Sequence, residues 1–493
     1  MILSSTPAGS DSSTPTDSDK SRSGSTVPKT YMLQRSVPIE EGYDIVVAGG
    51  GPGGCGAAIA AGRRGEKVLL LEATGCLGGM GTSAMVSAWS DLADGERMLA
   101  GGLMGEIVET MYERGYYKPG IDPIHWRQKL HSGFGYNTEG LKLLLDELCL
   151  AAHVELRFFT RVIDVEVNAG TKKVQGVVLH NIEGYRFVKA RTFIDATGDA
   201  VLSALCGAAY RQAGRDTEHI MAPTLCAAQA GIDTDRFNYG HQQNAVFQGI
   251  KDGFFTQPDR HVPGLFITGR TTAIMNAGHL FGTDAVNCRS LSDGMVRGRK
   301  FADEYTRFFR KYLGGCEEIS LVATASLLGI RESRRIVGEC ELKYDDMVAR
   351  RSFPDQIAVY NKPVDVHVHD CSDEQWERYK SEFLTKDRLA KGEFYGLPYG
   401  ILVPEGWDNL WVAGRCNSSD VQAHGAIRDQ PACFMMGEAA GTAAVQSIRT
   451  GQPACDLDTA ELVTTLREAG AYLPQRELSR QMTRKTGSLQ PVA

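Results

Sequence analysis

The stretch that decides the fold is YDIVVAGGGPGGCGAAIAAGRRGEKVLLLE, Tyr43 to Glu72. It opens on a short apolar run, turns through Gly49 to Gly54, continues through small residues to Arg64, and closes on a second apolar run, KVLLLE. Two apolar strands joined by a helix of small residues form a βαβ unit whose parallel strands are covered on both faces. Gly49, Gly51 and Gly54 stand at the spacing G-x-G-x-x-G, with Gly53 beside the third. The first glycine permits the tight turn and the second lets the backbone approach a pyrophosphate. The third, with Ala58 one turn on, lets helix and sheet pack closely. Free N–H groups at the helix start, with their partial positive charge, suit phosphates. Glu72 ends the second strand, close to the ~20-residue separation at which an acid meets a ribose 2′-hydroxyl. Its carboxylate repels a 2′-phosphate, so NADP is disfavoured.

FAD rather than NAD is indicated by the glycine-bearing stretches further along the chain. A second glycine-rich turn, GCLGGMGTS, runs from Gly75 to Ser83. Ala73, Gly78, Gly79, Met80 and Thr82 are therefore placed against the longer cofactor, with Val162 beside them. IDATGD ends a strand in Thr197 and Gly198, and VAGR ends another in Gly414 and Arg415. A helix then begins near Asp429, with Pro431 in its first turn and small residues Gly437, Ala440, Gly441 and Ala444. These further glycine-bearing ends exceed what NAD needs and suit an extended FAD, with Gly437 at its flavin end. No histidine lies between Glu72 and Trp89, which argues against a histidyl-linked flavin there.

The rest of the 493 residues is consistent with an enzyme of two domains. A net charge of -7 and the lack of a basic stripe speak against nucleic acid as a partner. Twelve cysteines form no CxxC pair, so they read as free thiols in a reducing, cytoplasmic setting. No apolar run is long enough to span a membrane. Residues 1–40 read as a disordered Ser/Thr/Pro-rich tail. The FAD-binding domain is expected over 41–205 and 405–452, with a substrate domain inserted over 206–404 and a C-terminal helix and tail over 453–493. TEGLKLLLDELCLAA, Thr138 to Ala152, predicts an amphipathic helix starting at Thr138. The fold class is α/β: a Rossmann-like three-layer domain with a parallel sheet, carrying a mixed α+β insertion.

Hydride transfer leaves negative charge on the flavin edge, which needs a positive partner. Arg428, just before the late helix, is assigned there, and His424 is the candidate base or acid. Alternatively His424 caps a turn and Arg428 pairs with Asp429 or Glu438. GIRESRRIVGE places Arg331, Arg334 and Arg335 at helical spacings on one face, a cluster for a substrate carboxylate or phosphate, or an interdomain ion-pair face. VDVHVHD alternates as a strand, with Asp365, His367 and His369 on one side. No companion ligands stand at nearby spacing, so no metal is expected. Nor does a second glycine-rich strand–helix turn mark an NAD(P)H domain.

The stretches GGGPGG, LEATGCLGGMGTS, FIDATGDA, LLGIRESRRIVGE, KPVDVHVHD, LPYGILVPEGWDNLWVAGRCNSS and GEAAGTAA span residues 43 to 450. On them the chain resembles the FAD-dependent oxidoreductase family related to the flavin-binding subunit of heterodisulfide reductase, often labelled xanthan-lyase-related. The resemblance implies a glutathione-reductase-type FAD domain, noncovalent FAD and no settled common substrate. The cysteine motifs of that subunit's iron–sulfur clusters are missing, so no cluster is carried over. The expected activity is FAD-dependent removal of a hydride from a small polar substrate such as a sugar or hydroxy acid, with an electron acceptor left open. A redox-neutral lyase or isomerase and an electron-transfer subunit are the alternatives. A homo-oligomer is also left open.

Overall fold

The computed structural model describes residues 31–384 and 386–474. Two units divide at Val37, and of the first the described residues 31–37 are without regular structure. Most of the expected N-terminal tail, and residues 475–493 of the expected C-terminal segment, lie outside the described residues.

The second unit begins with β1 (Ile39–Ala48), α1 (Pro52–Gly62), β2 (Val68–Leu71), α2 (Gly102–Glu113) and α3 (Thr138–Ala151). After these come β3 (Glu155–Arg157), β4 (Arg161–Asn168), β5 (Lys173–Asn181), β6 (Gly184–Asp195) and β7 (Tyr210–Gln212). The middle of the chain supplies β8 (Ala227–Ala230), β9 (Gly264–Ile267), β10 (Thr272–Asn276), α4 (Cys288–Tyr312), β11 (Ser320–Thr324) and β12 (Arg334–Ile336). β13 (Leu410–Val412), α5 (Gln430–Thr450) and α6 (Thr459–Glu468) complete it.

The main sheet has the order β3-β2-β1-β6-β5-β4, with β13 also beside β6. Its centre is parallel: Val47 lies opposite Leu70 of β2 and Ile194 of β6, and Trp411 of β13 also faces Ile194. β4 and β5 add an antiparallel edge, so the sheet is mixed. The continuous apolar runs of β1 and β2 are what burial on both faces requires. α1 is buried along its whole length because its small residues meet α5 rather than water. A Cβ on Gly56 would lie 2.6 Å from the Phe434 carbonyl oxygen, and one on Gly441 would lie 2.2 Å from that of Ala57. Helix α3 starts where expected, but its cap is Asn137, whose side chain accepts the N–H of Gly140; the Thr138 hydroxyl instead meets Ser87.

Strands β8 to β11 form a separate antiparallel sheet in the order β9-β10-β8-β11. It shares a core with α4 that includes Leu265, Met275, Phe308 and Phe309. Further on, Ile357, Tyr360, Tyr395 and Leu402 pack in the same core as α1 and α5. Residues of the 206–404 span thus contribute both to the core around α4 and to the core around α1 and α5.

The arginine stretch is a correction. It is extended, not helical: Arg334 and Arg335 lie in β12, paired with Gln212 and Arg211 of β7. Neighbouring side chains on a strand point to opposite faces, so the cluster does not present one cationic surface.

Candidate active site

A cavity of about 900 Å3 lies beyond the C-terminal ends of β1, β6 and β13, with Phe266 of β9 and Ile274 of β10 on its far side. Ligands of open α/β sheets sit beyond these strand ends.

At one end is the glycine turn. Gly49 has φ +100°, and a Cβ there would stand 2.5 Å from the Ala196 carbonyl oxygen, so only glycine fits. Gly51 caps α1 in ordinary extended backbone, and a Cβ on it would meet nothing within 4 Å. The space it leaves open belongs to the cavity, at the entrance of a helix whose first N–H groups are unpaired within it. Glu72 is fixed beside it: one carboxylate oxygen accepts the N–H of Gly50 at 2.7 Å, the other the N–H and hydroxyl of Thr74 at 2.7 and 2.8 Å. A pyrophosphate and a ribose fit this end, as FAD requires.

Of the residues expected at the cofactor, Gly49, Gly51, Gly53, Glu72, Ala73, Gly79, Met80, Val162, Thr197, Gly198, Gly414, Arg415 and Arg428 line the cavity. Four do not. Gly54 closes the turn, since a Cβ would lie 1.8 Å from the Gly49 carbonyl oxygen. Gly78 donates its N–H to the Gly50 carbonyl, and the buried Thr82 hydroxyl donates to that of Leu77. Gly437 is a correction: it packs on α1, not on the cavity. Arg415 is held by Asp199 at 2.7 Å and Ser333 at 3.0 Å.

The start of α5 faces the same cavity through Asp429, Gln430 and Cys433. Arg428 donates to the backbone oxygen of Asp365 at 3.1 Å and to its carboxylate at 3.2 Å. Neither alternative partner is engaged, because Asp429 pairs with Lys362 at 3.1 Å and Glu438 accepts the N–H of Leu103 at 3.1 Å. Arg331 also lines the cavity, donating to Ala222 O at 2.6 Å and Thr224 Oγ1 at 3.0 Å. Burial, then the nearby Arg428, draws its pKa down to about 10.

Two expected catalytic residues are not brought to this surface. Arg335 is buried against Glu332 and the Ser419 carbonyl. His424 is fully buried, with Nε2 3.1 Å from the Arg331 carbonyl oxygen. Burial and then Arg335 push its pKa well below the usual imidazole value. It sits behind Arg331, out of reach of a substrate in the cavity, so the base assignment does not hold for this geometry.

The far wall holds more than the alternation of VDVHVHD revealed, which marked only Asp365 and His367 of the residues found there. His261, Lys362, Asp365, His367, Trp376 and Tyr379 line it. Asp365 and His367 belong to an extended segment without ladder partners, and His369 turns away to stack on His219 at 3.6 Å. His279 Nδ1 lies 2.7 Å from Asp259, and its Nε2 lies 2.7 Å from His367 Nδ1. His367 Nε2 lies 3.3 Å from Asp365. Burial alone would raise the Asp365 pKa, but His367, Lys362 and Arg428 hold it well below the usual carboxylate range. The companions absent near His367 in sequence are therefore present in space: His261 and His279 arrive from segments far away along the chain. Each stands singly outside the longer strands and helices, His279 in an isolated bridge to Thr224, and no local pattern marks it.

Residues 44–466 match the family model described as FAD dependent oxidoreductase. A 48-residue stretch, about a tenth of each chain, is 52% identical to a dihydrolipoyl dehydrogenase of Trypanosoma brucei brucei. Among solved structures, a geranylgeranyl bacteriochlorophyll reductase-like protein of Thermoplasma acidophilum superposes with a TM-score of 0.45 at 14% identity, over 88% of this chain and 85% of that one. A p-nitrophenol 4-monooxygenase of Pseudomonas putida gives 0.41 at 12% identity, over 87% and 81%. A myxobacterial chondrochloren halogenase, described as FAD-dependent, gives 0.41 at 12% identity, over 88% and 79%.

Proposed function

The chain belongs to the FAD dependent oxidoreductase family, and we propose that it removes a hydride from a small polar molecule, a sugar or hydroxy acid, held in the far half of the cavity. FAD is its cofactor and supplies the hydride acceptor when bound. The observation that carries the reading is continuity: one cavity joins Gly51 and Glu72 to Arg331, Lys362 and Tyr379. Amides at the start of α1 would hold the pyrophosphate, and Glu72 would accept from a ribose hydroxyl. The positive start of α5 and Arg428 would stabilise the negative charge that hydride transfer leaves on the bound flavin. Arg331 and Lys362 offer charged donors to substrate oxygens, while Trp376 and Tyr379 offer flat apolar faces.

Three finer readings accompany this one. The motifs that place the chain near the heterodisulfide reductase flavin subunit support membership of that branch. Free thiols at all twelve cysteines are consistent with a reducing cytoplasm. Among the described residues no helix is long and apolar enough to cross a membrane.

The test is an anaerobic screen of sugars, hydroxy acids and amines against the purified yellow protein. The expected result is loss of the visible flavin absorbance with one class. A flavin-loaded protein that none of them bleaches would remove the hydride reading. Turnover that needs no electron acceptor would replace it with lyase or isomerase chemistry.

A further inference from the structure

We propose that His261, His279 and His367 bind a divalent transition metal of the zinc class in the wall of the cavity. One ring nitrogen from each histidine lies within 4.8 Å of the others, and all three side chains are buried. The outward nitrogens of two rings rest on carboxylates: His279 Nδ1 on Asp259 at 2.7 Å, His367 Nε2 on Asp365 at 3.3 Å. Their inward nitrogens, His279 Nε2 and His367 Nδ1, are therefore the pair that faces the centre. Metal-binding histidines are held in this way, with the far nitrogen on a carboxylate that fixes ring orientation and tautomer. Asp259 is itself placed by the backbone N–H groups of His261 at 2.9 Å and His279 at 3.3 Å.

His261 separates this site from a plain hydrogen-bonded relay. A proton shared between His279 and His367 explains their 2.7 Å contact but uses nothing from His261. His261 is 7% exposed, and its Nδ1 has no hydrogen-bond partner among the described residues. A buried imidazole nitrogen left unpaired is costly, and a third metal bond satisfies it. Tetrahedral zinc with bonds near 2.05 Å sets its ligand nitrogens about 3.3 Å apart, so the close pair opens by roughly half an ångström on binding. Three imidazoles without thiolate or carboxylate ligands suit zinc, cobalt, nickel or copper over magnesium or calcium. Three protein ligands leave a fourth position. His261 and His367 both line the cavity, so that position opens on it.

The test uses full-length protein with its flavin. It is stripped with a chelator, dialysed, and titrated with Zn2+ or Co2+, and bound metal is counted by elemental analysis. Cobalt additionally reports tetrahedral geometry through ligand-field bands at longer wavelength than flavin absorption. The expected result is one tightly held metal per chain, lost in His261→Ala and in His279→Ala. Asp259→Asn is expected to weaken binding roughly 10- to 100-fold. The flavin-to-protein ratio of each variant shows whether it has folded. Sub-stoichiometric metal in the wild type overturns the proposal. So does uptake in His261→Ala equal to the wild type, which leaves His279 and His367 as a relay. The flavin reading stands or falls separately, because metal content is measured without turnover.

Discussion

A Cβ built on Gly437 would stand 2.1 Å from the carbonyl oxygen of Gly53. Helices α1 and α5 therefore meet backbone to backbone at this point. The contact fixes the glycine turn relative to the start of α5, both of which line the cavity. Gly437→Ala forces the helices apart. It should lower stability by about 1–3 kcal/mol, the usual range for overpacking. Thermal unfolding of the flavin-free protein checks this, and an unchanged Tm would mean the helices separate without penalty.

Gly51→Val should do the reverse. The position has extended backbone and open space, so the apoprotein accepts a side chain there without strain. In the proposed reading that space takes the pyrophosphate. The variant is expected to unfold at the apoprotein's temperature yet to purify colourless and stay colourless in excess FAD. Normal flavin content would show that the pyrophosphate does not pass over Gly51.

These two glycines also show what sequence can and cannot tell. Gly49, Gly51 and Glu72 were legible because strand, turn, helix and acid are consecutive, and each has a local physical cause. Gly437 was not, because a small residue in a helix has the same signature whether it faces a cofactor or another helix. Arg331, Arg334 and Arg335 have helical spacing, but pairing of Arg334 and Arg335 with Gln212 and Arg211 overrides it. His424 lies one turn before Arg428, which placed it near the flavin edge, yet burial turns it behind Arg331. The histidine cluster depends on a contact between His279 and His367, 88 residues apart. No periodicity spans that distance.

Arg428→Ala should separate binding from chemistry. The guanidinium lines the cavity beside the start of α5 and is anchored on Asp365, the position from which the proposed reading has it meet the charge that develops during reduction. The variant is expected to keep its flavin while anaerobic reduction by substrate slows on the order of 100-fold, the size of effect seen when one preorganised donor is lost. Arg428→Lys should recover part of the rate. Reduction at the wild-type rate in Arg428→Ala would dismiss this role.

Glu438 gives a pH dependence whose sign can be worked out. Its carboxyl is 6% exposed, on α5 facing the start of α2, where it accepts the N–H of Leu103. Burial, only partly offset by that N–H, pushes its pKa up from 4.5 to about 7. Between these values the folded protein keeps a proton that the unfolded chain has released. Stability from this group is therefore complete below about pH 4.5, falls as pH rises through about 7, and is constant above. The full shift corresponds to about 3 kcal/mol as an upper figure. Glu438→Gln stays neutral, and its amide oxygen still accepts from Leu103. Near pH 4.5 the variant should match the wild type in denaturant unfolding, and near about pH 8 it should exceed it by up to that amount. A difference between the two that does not change with pH would mean that Glu438 ionises in the folded state as it does in water.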